Sequence, residues 1–551
     1  MKKSIQALIM AAAMLAGPMV FTSCEEILGE WSRPAPVQKV NVSGVTLNKS
    51  NLDLEVGDES TQLIATVISD DAAYKTVMWQ SDNEAIATVD ASGNVMAKAA
   101  GIATITCIAT NGTDDPADDQ KTTCTVTVEA VTASTPLTFQ AKEAGAKVKF
   151  DIYTTVATNP VEFRTCIDHV WGEWGPYTSS DDIVLTHVGD KVQFRGDNAA
   201  YADGGGNSHF SCTAGCYAYG NIMSLNNSTT FSTYTAMTKH YVFYRLFMNN
   251  SCLLSHGSKR FLLPATNVAP YCYESMFEGC TSLTTGPLTL PATSTSESSY
   301  KNMFKDCCSL ITAPTISATN LGPRSCVNMF IGCSSLITAP AISATVIPIN
   351  CCESMFEGCT SLTTSPALSA TSINPSSYKN MFKGCSSLVT APAISATDIP
   401  MSCCESMFEG CTSLTTSPAL SATSIGHSSY KNMFKGCSSL VTAPAISATS
   451  LAVSCCVSMF EGCTSLTTAP TLLATNMSSY CYQSMFKGCT KLSSVTCLAI
   501  DPPYNGTTQW LDGAGTDASV TSRTLHVKNG QESETWNTPT GTYAWSVSGD
   551  Q

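Results

Sequence analysis

Charge is scarce in this chain: only 13% of its 551 residues are Asp, Glu, Lys or Arg, and acids outnumber bases 43 to 29 for a formal net charge of -14. With no basic excess to neutralise phosphates, nucleic acid is excluded as a partner. Histidine is also rare, and the seven copies are scattered. None sits in a metal-ligand motif such as His-Glu-x-x-His, and the chain has neither a Gly-x-Ser-x-Gly elbow nor a phosphate loop. The expectation is no enzyme activity, no catalytic residue, no metal and no cofactor. Long apolar runs are missing apart from Ala7 to Phe21, which is short for a membrane span.

Cysteine is the opposite case, with 27 copies, and repetition accounts for most of them. From Tyr271 to Leu492 a unit containing Met-Phe, Gly-Cys and Leu recurs nine times, its Met-Phe pairs starting at Met276, Met303, Met329, Met355, Met381, Met407, Met433, Met459 and Met485. The first interval is 27 residues and each later one is 26. A period of that size predicts stacked units, each burying its apolar face against a neighbour. Phe277, Cys280, Phe356, Cys359, Phe382, Cys385, Phe408, Cys411, Phe434 and Cys437 are the expected repeat core, the cysteines acting as small buried hydrophobes rather than metal ligands.

Within one unit, Tyr378, Met381, Phe382 and Cys385 fall at helical spacing, which predicts a short helix from Ser377 to Lys383 ended by Gly384. Leu388 would then open an extended run that Pro392 closes, because proline cannot donate to a strand ladder. Charges alternate from unit to unit, as in Glu353, Lys379, Glu405 and Lys431, so the underlying period is double. Outward strand residues are expected to be small: Thr363, Ser365, Thr390, Ala391, Thr415 and Ser417. The loops Ile373 to Pro375 and Ile425 to His427 are a second candidate contact surface.

The Phe-x-x-Cys-x-x-Leu units resemble BspA-type leucine-rich repeats of surface proteins from Bacteroidota, with YGNIMSL at Tyr219 to Leu225 as the entry and Leu263 to Leu283 as the first full coil. The resemblance implies an α/β leucine-rich-repeat solenoid over 216-497, with a Trp-rich closing cap over 498-551. It also implies the general role of an adhesin.

The first residues, MKKSIQALIMAAAMLAGPMVFTSCEE, read as an export signal over 1-23, and Phe-Thr-Ser-Cys resembles a lipobox that would lipidate Cys24. Glu25 and Glu26 resemble the tag that sends such lipoproteins to the outer face of the outer membrane, with a linker over 24-40. Residues 41-130 alternate apolar and polar in some seven short strands, which predicts an all-β sandwich. The phrases VTLNKSNLDLEVGDESTQLIATV and VMWQSDNEAIATVDASGNVMAKAAGIATITC resemble the group 2 bacterial immunoglobulin-like domain, with Trp79 as core tryptophan. Cys107 and Cys124 face one interior and are a possible disulfide. The loop with Asp114, Asp115, Asp118 and Asp119 is either a solvated hairpin tip or a calcium site.

A small β-domain is expected over 131-215. Trp171, Trp174 and Tyr177 there are either packing aromatics or a sugar-stacking patch, and His209, Cys212 and Cys216 are a zinc-like spacing, a disulfide or a pair of buried thiols. The function these readings favour is a lipid-anchored, surface-exposed adhesin or protein-binding module, its partners being host or bacterial surface proteins or glycans. A glycan-capture lipoprotein and a passive spacer of the cell coat are the alternatives.

Overall fold

From Asn350 to Gly462, Ser, Asn or Gly recurs at every fourth residue within each repeat, and that spacing decides the backbone. In the computed structural model, which describes residues 42–69, 76–111, 115–179, 182–500 and 505–549, Ser376, Asn380 and Gly384 hold left-handed φ values of 57°, 55° and 72°. An α-helix needs right-handed residues throughout, so a left-handed one at every fourth position converts it into overlapping turns. The amides then split into two sets. Met381, Lys383 and Cys385 donate three residues back at 3.0–3.2 Å, while Tyr378, Asn380, Phe382 and Gly384 donate to Cys403, Glu405, Met407 and Glu409 of the next unit at 2.7–2.9 Å.

The expected helix from Ser377 to Lys383 is therefore corrected to a ribbon of turns. The α/β leucine-rich-repeat solenoid is corrected with it: the described residues are nearly all β with many small sheets, and contain no α-helix, only the 3-10 turns Ile222–Leu225 and Gly541–Tyr543. The strands of the repeats are two residues long, as at Ser372–Ile373, Asp398–Ile399 and Ser424–Ile425. They lie beyond the proline, not before it. The run before the proline makes only single bridges, such as Thr364 to Thr390 and Thr390 to Thr416.

Side chains equivalent by the 26-residue period lie against one another. Phe356, Phe382 and Phe408 are adjacent rungs with ring centroids 5.5 and 5.6 Å apart and planes 9° and 2° from parallel. Phe277, Phe434 and the rings between them belong to the same column and are buried. Each cysteine behind it has a specific task. The thiols of Cys280, Cys359, Cys385, Cys411 and Cys437 donate at 3.1–3.2 Å to the carbonyls of Phe247, Phe330, Phe356, Phe382 and Phe408, taking the second lone pair of oxygens that already accept a backbone N–H within their own turn. Burial pushes the Cys359 and Cys411 thiols up to about 12, so they stay protonated donors.

Ser377-Tyr378 and Ser429-Tyr430 alternate with Cys403-Cys404 and Cys455-Cys456, so Tyr378 is set among Cys351, Cys352, Cys403 and Cys404. Large side chains thus meet small ones, which gives the double period a packing origin. The charges follow suit: Lys379 and Lys431 reach Glu405 at 3.7 and 3.3 Å, and Lys435 reaches Glu461 at 3.1 Å. Gly358, Gly384 and Gly410 form a further column in which an added Cβ would stand 3.7–3.9 Å from the glycine backbone of the preceding unit. Space is adequate but φ at Gly410 is 76°, so Gly410→Val is expected to destabilise the stack by about 1–3 kcal/mol. Hydrogen exchange around Cys385 and Cys411 would report it, and Gly410→Asn should be tolerated better.

The stack grows out of an antiparallel sheet. Leu137–Ala141 pairs on one side with Lys191–Gly196 and on the other with Cys216–Asn221. Cys216–Asn221 then pairs in parallel with Leu253–Leu254 and Phe261–Leu262 at the first turns of the stack. Phe150, Phe210, Phe247 and Phe277 continue the ring column through this handover at 3.8, 5.5 and 5.3 Å. One apolar cluster consequently runs from Leu137 to Trp545. At the far end Trp510 stacks on Tyr482 and Trp536 on Trp510, and Ser494–Cys497, Thr524–Val527 and Ser546–Ser548 pair in parallel. The closing cap is thus built on a parallel three-stranded sheet.

Val42 to Glu129 forms a separate sandwich with its own core. Gly101–Ala109 lies between Val77–Ser81 and Gln120–Glu129, and Asn51–Glu55 joins the latter in parallel. Trp79 is half-buried against both apolar clusters. The proposed Cys107–Cys124 bridge is corrected, because both are free buried thiols. Cys107 stands opposite Thr122 and Cys124 opposite Ile105, a diagonal at about 7–8 Å between Cα atoms, beyond disulfide reach. Cys24, the signal 1-23 and the linker 24-40 lie outside the described residues, as does Asp114.

A buried charge network joins the sandwich to the rest. Lys259 bonds Glu55 at 2.8 Å, Gln140 at 2.9 Å and also Asp58, while Lys191 meets Asp58 at 2.9 Å and Glu55 at 3.2 Å. Gln140 donates to Asp58 at 3.0 Å and the Tyr219 hydroxyl donates to Glu55. All six residues are buried. Burial alone would push both carboxyls up, but the Lys191 and Lys259 charges outweigh it and hold Glu55 and Asp58 below the usual carboxylate range.

Candidate functional site

Because Leu388 turns inward, the residue after it turns outward. The result is a column on the surface of the stack, occupied in successive units by Ile311, Ile337, Thr363, Val389, Thr415, Val441 and Thr467. Ile311, Ile337, Val389 and Val441 are 45–49% exposed, a large fraction for β-branched apolar side chains. Beside them runs a second exposed column of threonine, Thr312, Thr338, Thr364, Thr390 and Thr416, fixed by bridges from unit to unit. The backbone then folds inward at Ala391 and Pro392, leaving open grooves.

Two of these grooves have volumes of about 470 and 390 Å³. The first lies between Ile311–Thr315 and Ile337–Ala341, the second between Thr363–Ala367 and Thr390–Ala393. Their walls carry methyl groups, proline rings, hydroxyls and backbone, with no ionisable side chain. Such a surface can bind by contact and hydrogen bonding, and holds no acid, base or nucleophile positioned for chemistry.

Of the outward residues expected from sequence, Thr363, Thr390 and Thr415 are exposed, Ser365 and Ser417 are half-buried, and Ala391 is buried. The apolar members of the column were missed, although the residue following each repeat leucine shows them. In the loops Ile373 and Ile425 point inward while His427 is exposed, and in the equivalent loops of other units Ile349, Met401 and Val453 are 47%, 54% and 41% exposed.

The other candidate residues are committed elsewhere. Trp171 and Trp174 are half-buried, with the Arg164 guanidinium 4.4 and 5.0 Å from their rings and that of Arg195 4.2 Å from Trp174. Tyr177 is buried, its hydroxyl accepting from the Phe150 amide at 2.8 Å. His209 pairs with Asp151 at 3.3 Å. Asp115 and Asp119 accept from the Ala117 and Asn111 amides at 2.9 and 3.3 Å. Among the described residues no group of three His, Cys, Asp or Glu is placed to hold a metal.

Two known protein groups match part of this chain. An alpha-L-arabinofuranosidase of Bifidobacterium longum subsp. longum is 36% identical over 161 residues, which is 28% of this chain and 13% of that protein. The chain thus spans a small part of that relative. The second match is a family of sandwich domains and coincides with the unit that has its own core: residues 41–126 are a bacterial Ig-like domain of group 2.

Proposed function

We propose that the chain is a surface-tethered binding protein, anchored through a lipid on Cys24 at the outer face of an outer membrane, and that it has no catalytic activity of its own. The exposed column Ile311, Ile337, Val389 and Val441 beside its grooves is the observation that carries the reading. Apolar side chains repeated along one face mark an interaction surface rather than scattered exposure. The resemblance of the repeats to those of BspA-type surface proteins supports the adhesin class, with host or bacterial surface proteins or glycans as partners. Sugar stacking on Trp171 and Trp174 is disfavoured because guanidinium groups lie over their rings.

The full chain should be tested on an array of matrix proteins and glycans, arabinofuranosyl glycans included because the relative is named for them. Ile337→Asp with Val389→Asp is expected to weaken capture at least tenfold, about 1.4 kcal/mol, with an unchanged melting temperature. Capture that the double variant leaves intact would move binding off this face. An array that stays blank would favour the passive spacer.

A further inference from the structure

Most thiols of this chain are enclosed, and those of the repeats donate to phenylalanine carbonyls. Cys212 differs. It ends the strand His209–Cys212 partly exposed, and four residues later Cys216 opens the strand Cys216–Asn221 fully buried. The link between them is pinned at both ends, by Thr213 N–H to the Lys147 carbonyl at 3.1 Å and by Lys142 N–H to the Gly215 carbonyl at 2.9 Å. The two strands belong to different sheets, Cys212 opposite Val148 and Cys216 opposite Ala141. Cys216 lies in the apolar cluster of the stack and Cys212 packs against the same cluster.

Two donors converge on the Cys212 sulfur: the Cys216 thiol, and the Asn250 amide nitrogen at 3.5 Å. Asn250 is itself 4% exposed and also donates to the Phe210 carbonyl at 3.3 Å, so its direction is fixed. Donors aimed at sulfur favour the thiolate, and the Cys212 thiol lies below its ordinary value, chiefly through the Cys216 hydrogen bond. Cys351 is lowered too but is completely enclosed. An accessible thiolate with a second thiol beside it is the arrangement of an attacking and a resolving cysteine.

We propose that Cys212 and Cys216 are a thiol–disulfide exchange pair, which closes to an intrachain disulfide on reaction with a low-molecular-weight disulfide. The Cys212 thiolate attacks one sulfur of the reagent, whose S–S bond breaks to release a thiolate and leave a mixed disulfide on Cys212. Cys216 then attacks the Cys212 sulfur, its proton passing to the thiolate already released. The second half of the reagent leaves and takes up the proton that Cys212 lost on ionising. Two protein thiols are oxidised and one reagent disulfide is reduced to two thiols. The first step also frees the second, because the Cys216 thiol is raised mainly by its hydrogen bond to Cys212, which capping removes.

The test uses the native full chain with oxidised glutathione, followed by alkylation and peptide mass mapping, with the exposed Cys308 as the internal standard. Cys212 is expected to react roughly tenfold faster than Cys308 at neutral pH. The peptide carrying both residues should then lose two hydrogens and resist alkylation. Cys216→Ser should arrest the reaction as a glutathione adduct on Cys212, whereas Cys252→Ser, changing a neighbour whose carbonyl accepts from the Cys216 amide at 3.0 Å, should leave closure intact. Cys308 modified while Cys212 and Cys216 both stay alkylatable would overturn the proposal, and so would a bridge formed by Cys252 in place of Cys216.

Discussion

Lys259→Met is expected to destabilise the chain by about 3–5 kcal/mol, because it strands carboxylates that cannot reach water. Lys259 is buried, and its removal leaves Lys191 alone to balance Glu55 and Asp58. Only part of the loss should return in Lys259→Met with Glu55→Gln, where charge balances again but the Tyr219 hydroxyl loses its anionic acceptor. Chemical denaturation followed through exchange of the amides of Gln120–Glu129 and Cys216–Asn221 would locate the effect at the junction. A single variant within about 1 kcal/mol of the parent would show that the network is not closed to solvent.

The same junction sets a pH dependence with a definite sign. Glu55 and Asp58 titrate below their unfolded values, so their contribution is complete above about pH 4.5 and declines as the pH falls. Burial, with the Lys259 charge beside it, holds His256 down to about 4. Its neutral form is therefore favoured by folding, and stability is lost from about pH 6.5 downward. Lys191 is raised, so its contribution persists through neutral pH and fades only above the usual lysine range. The melting temperature should be flat near neutrality and fall on acidification. Replacing His256 with Gln should remove the part between about pH 6.5 and 4 and leave the acid limb.

Phe382→Ala should cost about 3–5 kcal/mol and act locally. The ring is buried between Phe356 and Phe408, so a cavity opens in a column with no slack on either side. Since the units couple mainly to their neighbours, amides from Tyr378 to Gly410 should exchange at least roughly a hundredfold faster. Those of Lys191–Gly196 should be unaffected. Uniform loss of protection along the chain would mean that the stack melts as one body.

The periodicity of Phe, Cys and Leu makes the buried columns and the double period readable in the sequence itself. The backbone is not readable in the same way, because apolar spacing in one unit satisfies both a helix and a ribbon of turns. What separates them is the Ser376, Asn380, Gly384 series, where left-handed residues replace the right-handed ones a helix needs. The group 2 Ig-like domain is legible from strand alternation, but Cys107 and Cys124 look paired because a sequence shows which face a residue takes and not its register against the next strand. The junction network is illegible. Glu55, Asp58, Gln140, Lys191, Tyr219 and Lys259 are scattered over some two hundred positions, and nothing local distinguishes a lysine that will be enclosed from one that stays in water.

The alternation of Glu and Lys between neighbouring units governs how such a gene can change. The stretch from Ser376 to Thr397 recurs unaltered from Ser428 to Thr449, so misaligned recombination between the two copies adds or removes the 52 residues separating them and keeps lysine beside glutamate at the seam. Shifting by a single unit would instead set Lys379 beside another lysine and Glu405 beside another glutamate. The length of the stack is therefore adjustable in steps of two units, without redesign of either end.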